Sequence, residues 1–429
     1  MKLQYLKFEN FRGAKNLQIK FHSEMNVLIG VNGSGKSSIL DGAAIMMSWV
    51  ANRLVYGGGS GRPMTENDIS NRSSIGTLSM CATYSDSAIS WKGAWHLVKA
   101  RRGHGKGGAR SELSGISGLI ENLRERVAST EERINLPVLI YYPVNRAVVD
   151  IPLRIRSKHK FALLSAYDES LTSGANFRTF FEWFREREDL ENESARYQNQ
   201  LIDDEKSEYP DRQLEAVRYS LSKFMPDFDN LTVRRSPLRM EVEKSGVRLN
   251  IDQLSGGEKC LMALVGDLAR RLAIANPVLD NPLEGKGVVM IDEVDLHLHP
   301  KWQAMIVPSL RQVFPNCQFL VTTHSPHVVT QVDPESLFEL TNRDGQLSCS
   351  RPADSFGKTA ESILRQVMGL STTRPKEVDE DFEKLWAFIS QGDLSKAEKL
   401  LSSMKEKVVD DPDLSKAKVL IQRKKLIGR

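Results

Sequence analysis

Gly30-Val31-Asn32-Gly33-Ser34-Gly35-Lys36-Ser37-Ser38 follows an apolar run, residues 25–29, and precedes Ile39-Leu40-Asp41-Gly42-Ala43-Ala44-Ile45-Met46-Met47. That is strand, glycine-rich turn and helix, with the turn reading G-x-x-x-x-G-K-S. Glycines let such a loop wind so tightly that successive backbone N–H groups converge on the phosphates of a nucleotide. The N-terminus of the following helix adds its partial positive charge at the same point. Lys36 is placed to reach the β- and γ-phosphates, and the Ser37 hydroxyl to ligate Mg2+. The string alone recurs by chance. Between a strand and a helix it predicts an ATP-type site built from Asn32, Gly33, Ser34, Gly35, Lys36, Ser37 and Ser38, because an ordinary glycine-rich turn does not account for the flanks.

The chain has 429 residues, enough for two or three domains or for one with large insertions. Its 40% hydrophobic and 27% charged content are those of a globular protein. No apolar run approaches the roughly 20 residues of a membrane span. The first residues lack the apolar core of a secretory signal, so no membrane partner is expected. Cys81, Cys260, Cys317 and Cys349 have no paired spacing and read as reduced thiols of a cytoplasmic protein. A net charge of +4 is too small to imply nucleic acid by itself.

Residues 1–29 are expected to form short antiparallel strands around a turn holding Phe11-Arg12-Gly13, where Arg12 is either a solvated loop residue or a functional one. The helix after the P-loop ends at Gly57-Gly58-Gly59, and the polar residues 55–75 are expected to be a mobile loop. Alternation over 76–100 predicts sheet. Residues 99–110 combine glycines with basic residues and could track a phosphate backbone or be a solvated loop. Polar residues 113–133 read as helix, and Val138-Leu139-Ile140-Tyr141-Tyr142 as a buried strand leaving through Pro143-Val144-Asn145-Arg146. Residues 160–225 are mostly helical. Their cluster Phe177, Phe180, Phe181, Trp183 and Phe184 is core or a base-stacking platform, and core is the simpler reading.

A second dense stretch begins at Leu254-Ser255-Gly256-Gly257-Glu258, which opens a long helix and makes another phosphate-binding helix end. Val288-Val289-Met290-Ile291 then runs into Asp292-Glu293. A P-loop ATPase needs that arrangement: Asp292 to hold Mg2+ and Glu293 to polarise the attacking water. Phe319-Leu320-Val321-Thr322-Thr323 is a further buried strand that delivers His324 to the same sheet edge. His297, His299, His324 and His327 invite a zinc reading, but His299 precedes Pro300 and no cysteine completes a ligand set. Short amphipathic helices follow from residue 357, serving docking, oligomerisation or mere capping of the sheet.

P-loop, Leu-Ser-Gly-Gly-Glu, apolar strand with Asp-Glu, and strand with His, in this order, are the layout of an ABC-type ATPase. Phe8-Glu9-Asn10-Phe11-Arg12-Gly13 and Asp292-Glu293-Val294-Asp295-Leu296-His297-Leu298-His299-Pro300 resemble the SMC/RecF-like branch, which includes the ATPase half of the overcoming-lysogenization nucleases. The resemblance covers residues 1–56, 136–156 and 250–335. It implies an α/β fold: an ABC-type head with a mixed sheet flanked by helices, a helical insertion and a C-terminal helical tail. The parts would be an N-terminal ATPase lobe with an antiparallel β subdomain (1–156), an insertion of helices and short strands (157–249), a C-terminal ATPase lobe (250–356) and the tail (357–429).

The same resemblance implies a dimer, with ATP on the P-loop of one subunit capped by Ser255 and Gly257 of another. Asp295 would couple the two sites, His324 would contact the γ-phosphate, and Arg12 would link the nucleotide and signature lobes. The family's glutamine after the strand 138–142 is missing, and Asn145 is the substitute. Tyr142-Pro143-Val144-Asn145-Arg146-Ala147-Val148, Phe181-Glu182-Trp183-Phe184-Arg185-Glu186-Arg187-Glu188 and Met368-Gly369-Leu370 followed by Arg374-Pro375 look like the PtuA-type ATPases of anti-phage defence in Septu systems and some retrons. Those work beside a small HNH-family nuclease, PtuB. No acidic nuclease module follows His324, so the chain itself is not expected to cut DNA. Two other readings stay open: a DNA-repair or DNA-end-binding clamp on double-stranded DNA without a nuclease partner, and an ATPase subunit of a non-DNA process such as transport.

Overall fold

The fully buried strands in the centre of this molecule are short, mostly apolar runs with no alternation, the pattern of a sheet covered on both faces. A computed structural model describes residues 1–85, 87–96, 111–129, 134–144, 147–148, 161–172, 175–198, 209–343, 345–352 and 354–427. It divides the chain into two compact units, Met1–Ala360 and Glu361–Arg429.

The first unit opens with β1 (Lys2–Phe11), β2 (Ala14–Lys20) and β3 (Met25–Ile29), then α1 (Lys36–Tyr56), β4 (Ile75–Tyr84), β5 (Ser87–His96) and α2 (Ser114–Ala128). Next come β6 (Val138–Tyr142), the two-residue strands β7 (Ala147–Val148) and β8 (Ala175–Asn176), α3 (Phe177–Gln198) and α4 (Arg212–Phe224). The meander β9 (Phe228–Arg235), β10 (Leu238–Lys244) and β11 (Val247–Asn250) leads into α5 (Gly256–Ala275). The unit closes with β12 (Gly287–Ile291), α6 (Pro300–Val313), β13 (Cys317–Thr322), the single turn α7 (Pro326–Val329), β14 (Leu337–Arg343) and β15 (Gln346–Ser350).

The central sheet has the order β15-β14-β3-β13-β12-β6. Its strands from β14 to β6 are parallel, and β15 alone runs antiparallel. A separate antiparallel sheet, β2-β1-β4-β5, forms the β subdomain. Met25–Ile29 therefore does not continue the antiparallel strands before it. It is wholly buried and pairs in parallel with β13 and β14, because five consecutive apolar or amide-bearing residues suit the middle of a covered sheet. The two sheets are stitched together by Gln318 on β13. Its Oε1 accepts from Leu3 N–H at 2.6 Å, and its Nε2 donates to the Leu3 and His22 carbonyls at 2.8 Å each.

Helix α1 packs on β6, β12 and β13 and also on β4, so apolar residues surround it on most sides. The segment 57–74 is not a free loop, contrary to the expectation from its polarity. Met64 and Ile69 are buried, Ile69 bridges Phe11, and Asp68 binds the Arg12 turn. The aromatic cluster of α3 is core, with all five rings at most 1% exposed. The basic stretch 99–110 lies outside the described residues.

The second unit holds α8 (Ala360–Gln366), most of which it contains, with α9 (Lys376–Gln391), α10 (Leu394–Lys407) and α11 (Pro412–Ile427). Its core is built by Phe382, Leu385, Ile389, Ala397, Leu401, Met404, Leu414, Ala417 and Ile421. Among the described residues no helix is long and apolar enough to cross a membrane.

Candidate nucleotide site

Parallel strands that share a register end at the same edge, and that edge collects the chemistry. Thr322 of β13 pairs with Leu28 of β3, and Val321 pairs with Ile291 of β12, which in turn pairs with Tyr142 of β6. The P-loop leaves β3, Asp292-Glu293 leaves β12, and Thr323-His324 leaves β13 between them. Asn145, beyond β6, lies outside the described residues.

The loop is wound by glycines with positive φ: 146° at Gly30, 78° at Gly33 and 89° at Gly35. A Cβ on Gly30 would lie 2.3 Å from the Leu340 carbonyl of β14, so the hairpin β14–β15 backs the loop and admits no side chain there. That hairpin is absent from the sequence reading; alternation in Leu337–Arg343 is broken by polar residues, and the strand is short. Gly33, by contrast, faces open space. Gly35 caps α1 without a side-chain hydrogen bond, and no acid sits in the first turn, so the leading N–H groups keep their affinity for an anion.

The Lys36 ammonium is buried against the loop and donates to the carbonyls of Gly30 at 2.9 Å and Val31 at 3.2 Å. Burial pulls its pKa below the usual lysine range, while Asp292, Glu293 and Asp295 push the other way. Ser34 Oγ is fully buried and makes no hydrogen bond to a described group. Ser37 and Asn32 are exposed. A coiled cradle of N–H groups, an orphaned hydroxyl, a lysine held on neutral carbonyls and adjacent acids fit a nucleoside triphosphate with Mg2+. Lys36 and the loop amides would hold the phosphates, and Ser37 with Asp292 would hold the ion.

Thr322, which the sequence reading passed over, organises the acids. Its Oγ1 donates to Asp292 Oδ1 at 2.5 Å and accepts from the Glu293 N–H at 2.7 Å. Glu293 adopts φ 49°, a left-handed conformation that costs a non-glycine residue about 1 kcal/mol or more, and this bond helps to hold it there. Thr323 Oγ1 does the same for Asp295 Oδ1 at 2.5 Å. His324 is exposed beside them. His299 caps α6, its Nδ1 accepting from Lys301 N–H at 3.3 Å.

Arg12, at φ 49°, sends its guanidinium to Ser38 Oγ (3.2 Å), Asp41 (2.7 Å) and Asp68 (2.9 Å). It ties the β1–β2 turn to the second turn of α1, immediately beyond the P-loop. Burial alone would lower its pKa, but Asp41 and Asp68 raise it overall.

The signature segment sits at the head of α5. Ser255 Oγ accepts from Glu258 N–H at 3.3 Å, and Glu258 returns to the Ser255 N–H at 2.8 Å, a complete capping box. Ser255 and Gly256 are exposed. A Cβ on Gly257 would meet the His297 carbonyl at 2.3 Å, so this glycine lets α5 press against the loop that carries Asp295. The packing reason for Gly257 was not visible in sequence, since it depends on a residue forty positions away.

The profile of the RecF/RecN/SMC N terminal domain matches residues 2–348. A relative from Escherichia coli, "Retron Ec83 probable ATPase", is 29% identical over 86% of this chain and 76% of its own length. "Retron Vc95 probable ATPase" of Vibrio cholerae serotype O1 biovar El Tor is 32% identical over 81% of this chain and 75% of its own length. "Septu protein PtuA" of Bacillus thuringiensis is 30% identical over 36% of this chain and 41% of its own length.

Proposed function

Because the chain belongs to the RecF/RecN/SMC N-terminal domain family, and is similar along most of its length to retron ATPases, we propose that it is a cytoplasmic ATPase of anti-phage defence whose nucleotide-bridged dimer controls a partner HNH-family nuclease. The observation that carries this reading is the division of the site. Lys36, Asp292, Glu293, Thr322 and His324 converge at one sheet edge, whereas Ser255 and Gly256 present an exposed helix end. Glu258 closes this helix end with a capping box and leaves Gly256 and Gly257 at its front; helix ends bind anions, so the signature is suited to the phosphates carried by a second copy.

Bound Mg2+ supplies neutralisation of the phosphate charge that develops in hydrolysis. The chain's own residues do the rest. Lys36 and the loop amides orient the triphosphate, and Thr322 fixes Asp292 and Glu293. Glu293 accepts the proton of the attacking water as general base. His324 donates to the γ-phosphate, and Asp295 relays the state of this site to the neighbouring signature. Each half-site lacks the donors of the other, so hydrolysis depends on assembly. The PtuA-type resemblance supports the nuclease partner, a small PtuB-like protein, and the C-terminal helical unit is its docking element.

Glu293→Gln tests the reading directly. It should retain ATP without turning it over and shift the chain to a dimer in light scattering. Expressed from its native locus, it should carry an HNH-type protein through purification. A variant that stays monomeric with bound ATP would sink the dimer; co-purified duplex DNA without a protein partner would put a repair clamp in its place.

A further inference from the structure

A cavity of about 940 Å3 opens in the first unit, away from the phosphate cradle. Its walls are the middle of α1 (Ser48, Asn52, Val55), the turn at Arg62, the segment 161–172 and the second half of α5. Ser48 lies twelve residues beyond Lys36, roughly 18 Å along the helix at about 1.5 Å per residue, so the two sites are distinct.

The charge on the α5 wall is not balanced. Arg270 and Arg271 are each only 2% exposed, and both turn to the single carboxylate of Asp267. Arg270 Nη2 donates to Asp267 Oδ1 at 2.6 Å, Arg271 Nε donates to Oδ2 at 2.7 Å, and the Tyr142 hydroxyl donates to Oδ2 at 2.9 Å. Arg271 is completed by the carbonyls of Ala166 at 2.7 Å and Asp168 at 2.9 Å. Two guanidinium groups share the one buried carboxylate; the exposed carboxylates of Asp168 and Glu169 also line the cavity, and Asp168 acts on Arg271, so the buried positive charge is offset only in part. The imbalance falls on Arg270: among the described residues its guanidinium bonds only Asp267 Oδ1, through Nε at 3.3 Å and Nη2 at 2.6 Å, whereas Arg271 has Asp267 and two carbonyls.

A second group on the same cavity lacks a partner. Ser170 is 3% exposed, and its Oγ makes no hydrogen bond to a described group. Arg62 and Arg178 extend the wall, already engaged with Asp41 and Glu182. Tyr167, Val55 and Leu171 supply its less polar part. We propose that this cavity binds a phosphate-bearing small molecule of nucleotide size, with its anionic group held by Arg270 and Ser170. The volume lies within the range of small-molecule sites and far exceeds the needs of a lone phosphate.

The test uses the full chain carrying Lys36→Ala, which removes the P-loop's cation and leaves only its backbone amides, titrated calorimetrically with inorganic phosphate, pyrophosphate and AMP. AMP should bind one saturable site more tightly than phosphate does. Arg270→Gln leaves Asp267 and Arg271 as a balanced pair; it should raise the melting temperature of the free chain and weaken AMP about tenfold or more. Thr172→Trp, at an exposed rim position, should block AMP without touching Arg270. Failure of all three probes to bind, or binding unchanged in both variants, overturns the site. Phosphate binding as tightly as AMP overturns the assignment of nucleotide size. An Arg270→Gln chain that melts lower yet binds AMP normally marks the arginine as structural and likewise overturns the proposal.

Discussion

At the scale of single residues, Thr322 is the group on which the proposed catalytic acids depend. One hydroxyl serves two neighbours, donating to Asp292 and accepting from the backbone of Glu293. Thr322→Val keeps the shape and removes both bonds. Displacement of a general base by a fraction of an ångström costs rate rather than binding, so kcat for ATP should fall roughly 10- to 100-fold while KM changes little. Thr322→Ser, which restores the hydroxyl, should recover most of the loss in steady-state assays. A purely structural role would instead lower the melting temperature of the valine variant and leave kcat alone. The residues proposed to hold the phosphates and Mg2+ were legible in sequence, because G-x-x-x-x-G-K-S and the Asp-Glu pair are local strings. Thr322 was not, because its role arises only when β12 and β13 pair. Arg12 was half legible: the turn was read, but its ties to Ser38, Asp41 and Asp68 need the fold.

At the scale of elements, the head of α5 is held by more than its cap. Glu258 closes the capping box with Ser255 and also accepts from Lys244 Nζ of β10 at 2.6 Å. Burial pushes its carboxyl up, but the bonds from Lys244 and the Ser255 N–H outweigh it and leave the pKa below its ordinary value. A depressed carboxylate contributes stability above its unfolded pKa, near 4.3 for glutamate, and that contribution disappears as pH falls through the folded value. Urea midpoints of the wild type and Glu258→Gln should therefore differ at pH 7 and converge below about pH 4. A gap that does not narrow as the pH is lowered below about 4.3 would show that the charge is not what holds the helix end. Elements with strong apolar runs, β3, β6, β12 and β13, were legible as strands. What escaped was their partnership, since parallel pairing leaves no local turn signal: β3 was grouped with the antiparallel strands before it, and β14–β15 went unread behind the P-loop.

At the scale of the whole molecule, the ATPase residues all lie in Met1–Ala360, while Glu361–Arg429 builds a core of its own. That core is clamped at its mouth by Arg374. Its guanidinium stacks over the Phe382 ring at 4.0 Å and pairs with Asp411 at 2.7 Å and Asp413 at 2.8 Å, joining the start of α9 to the start of α11. Leu385, with none of its surface exposed, lies in the centre of the cluster. Leu385→Asp buries a charge without a partner, which costs several kcal/mol, about as much as a unit of this size has to lose. The full chain with this change should lose helical signal equivalent to α9–α11 in circular dichroism and keep ATP turnover within about twofold, because no nucleotide-site residue belongs to this unit. Association with the proposed nuclease partner, measured by co-purification from the native locus, should be abolished, as it should in a chain ending at Ala360. Turnover that collapses in both variants would mean that the C-terminal helices complete the ATPase instead of docking its partner. Association that survives in both would move the docking surface to the first unit.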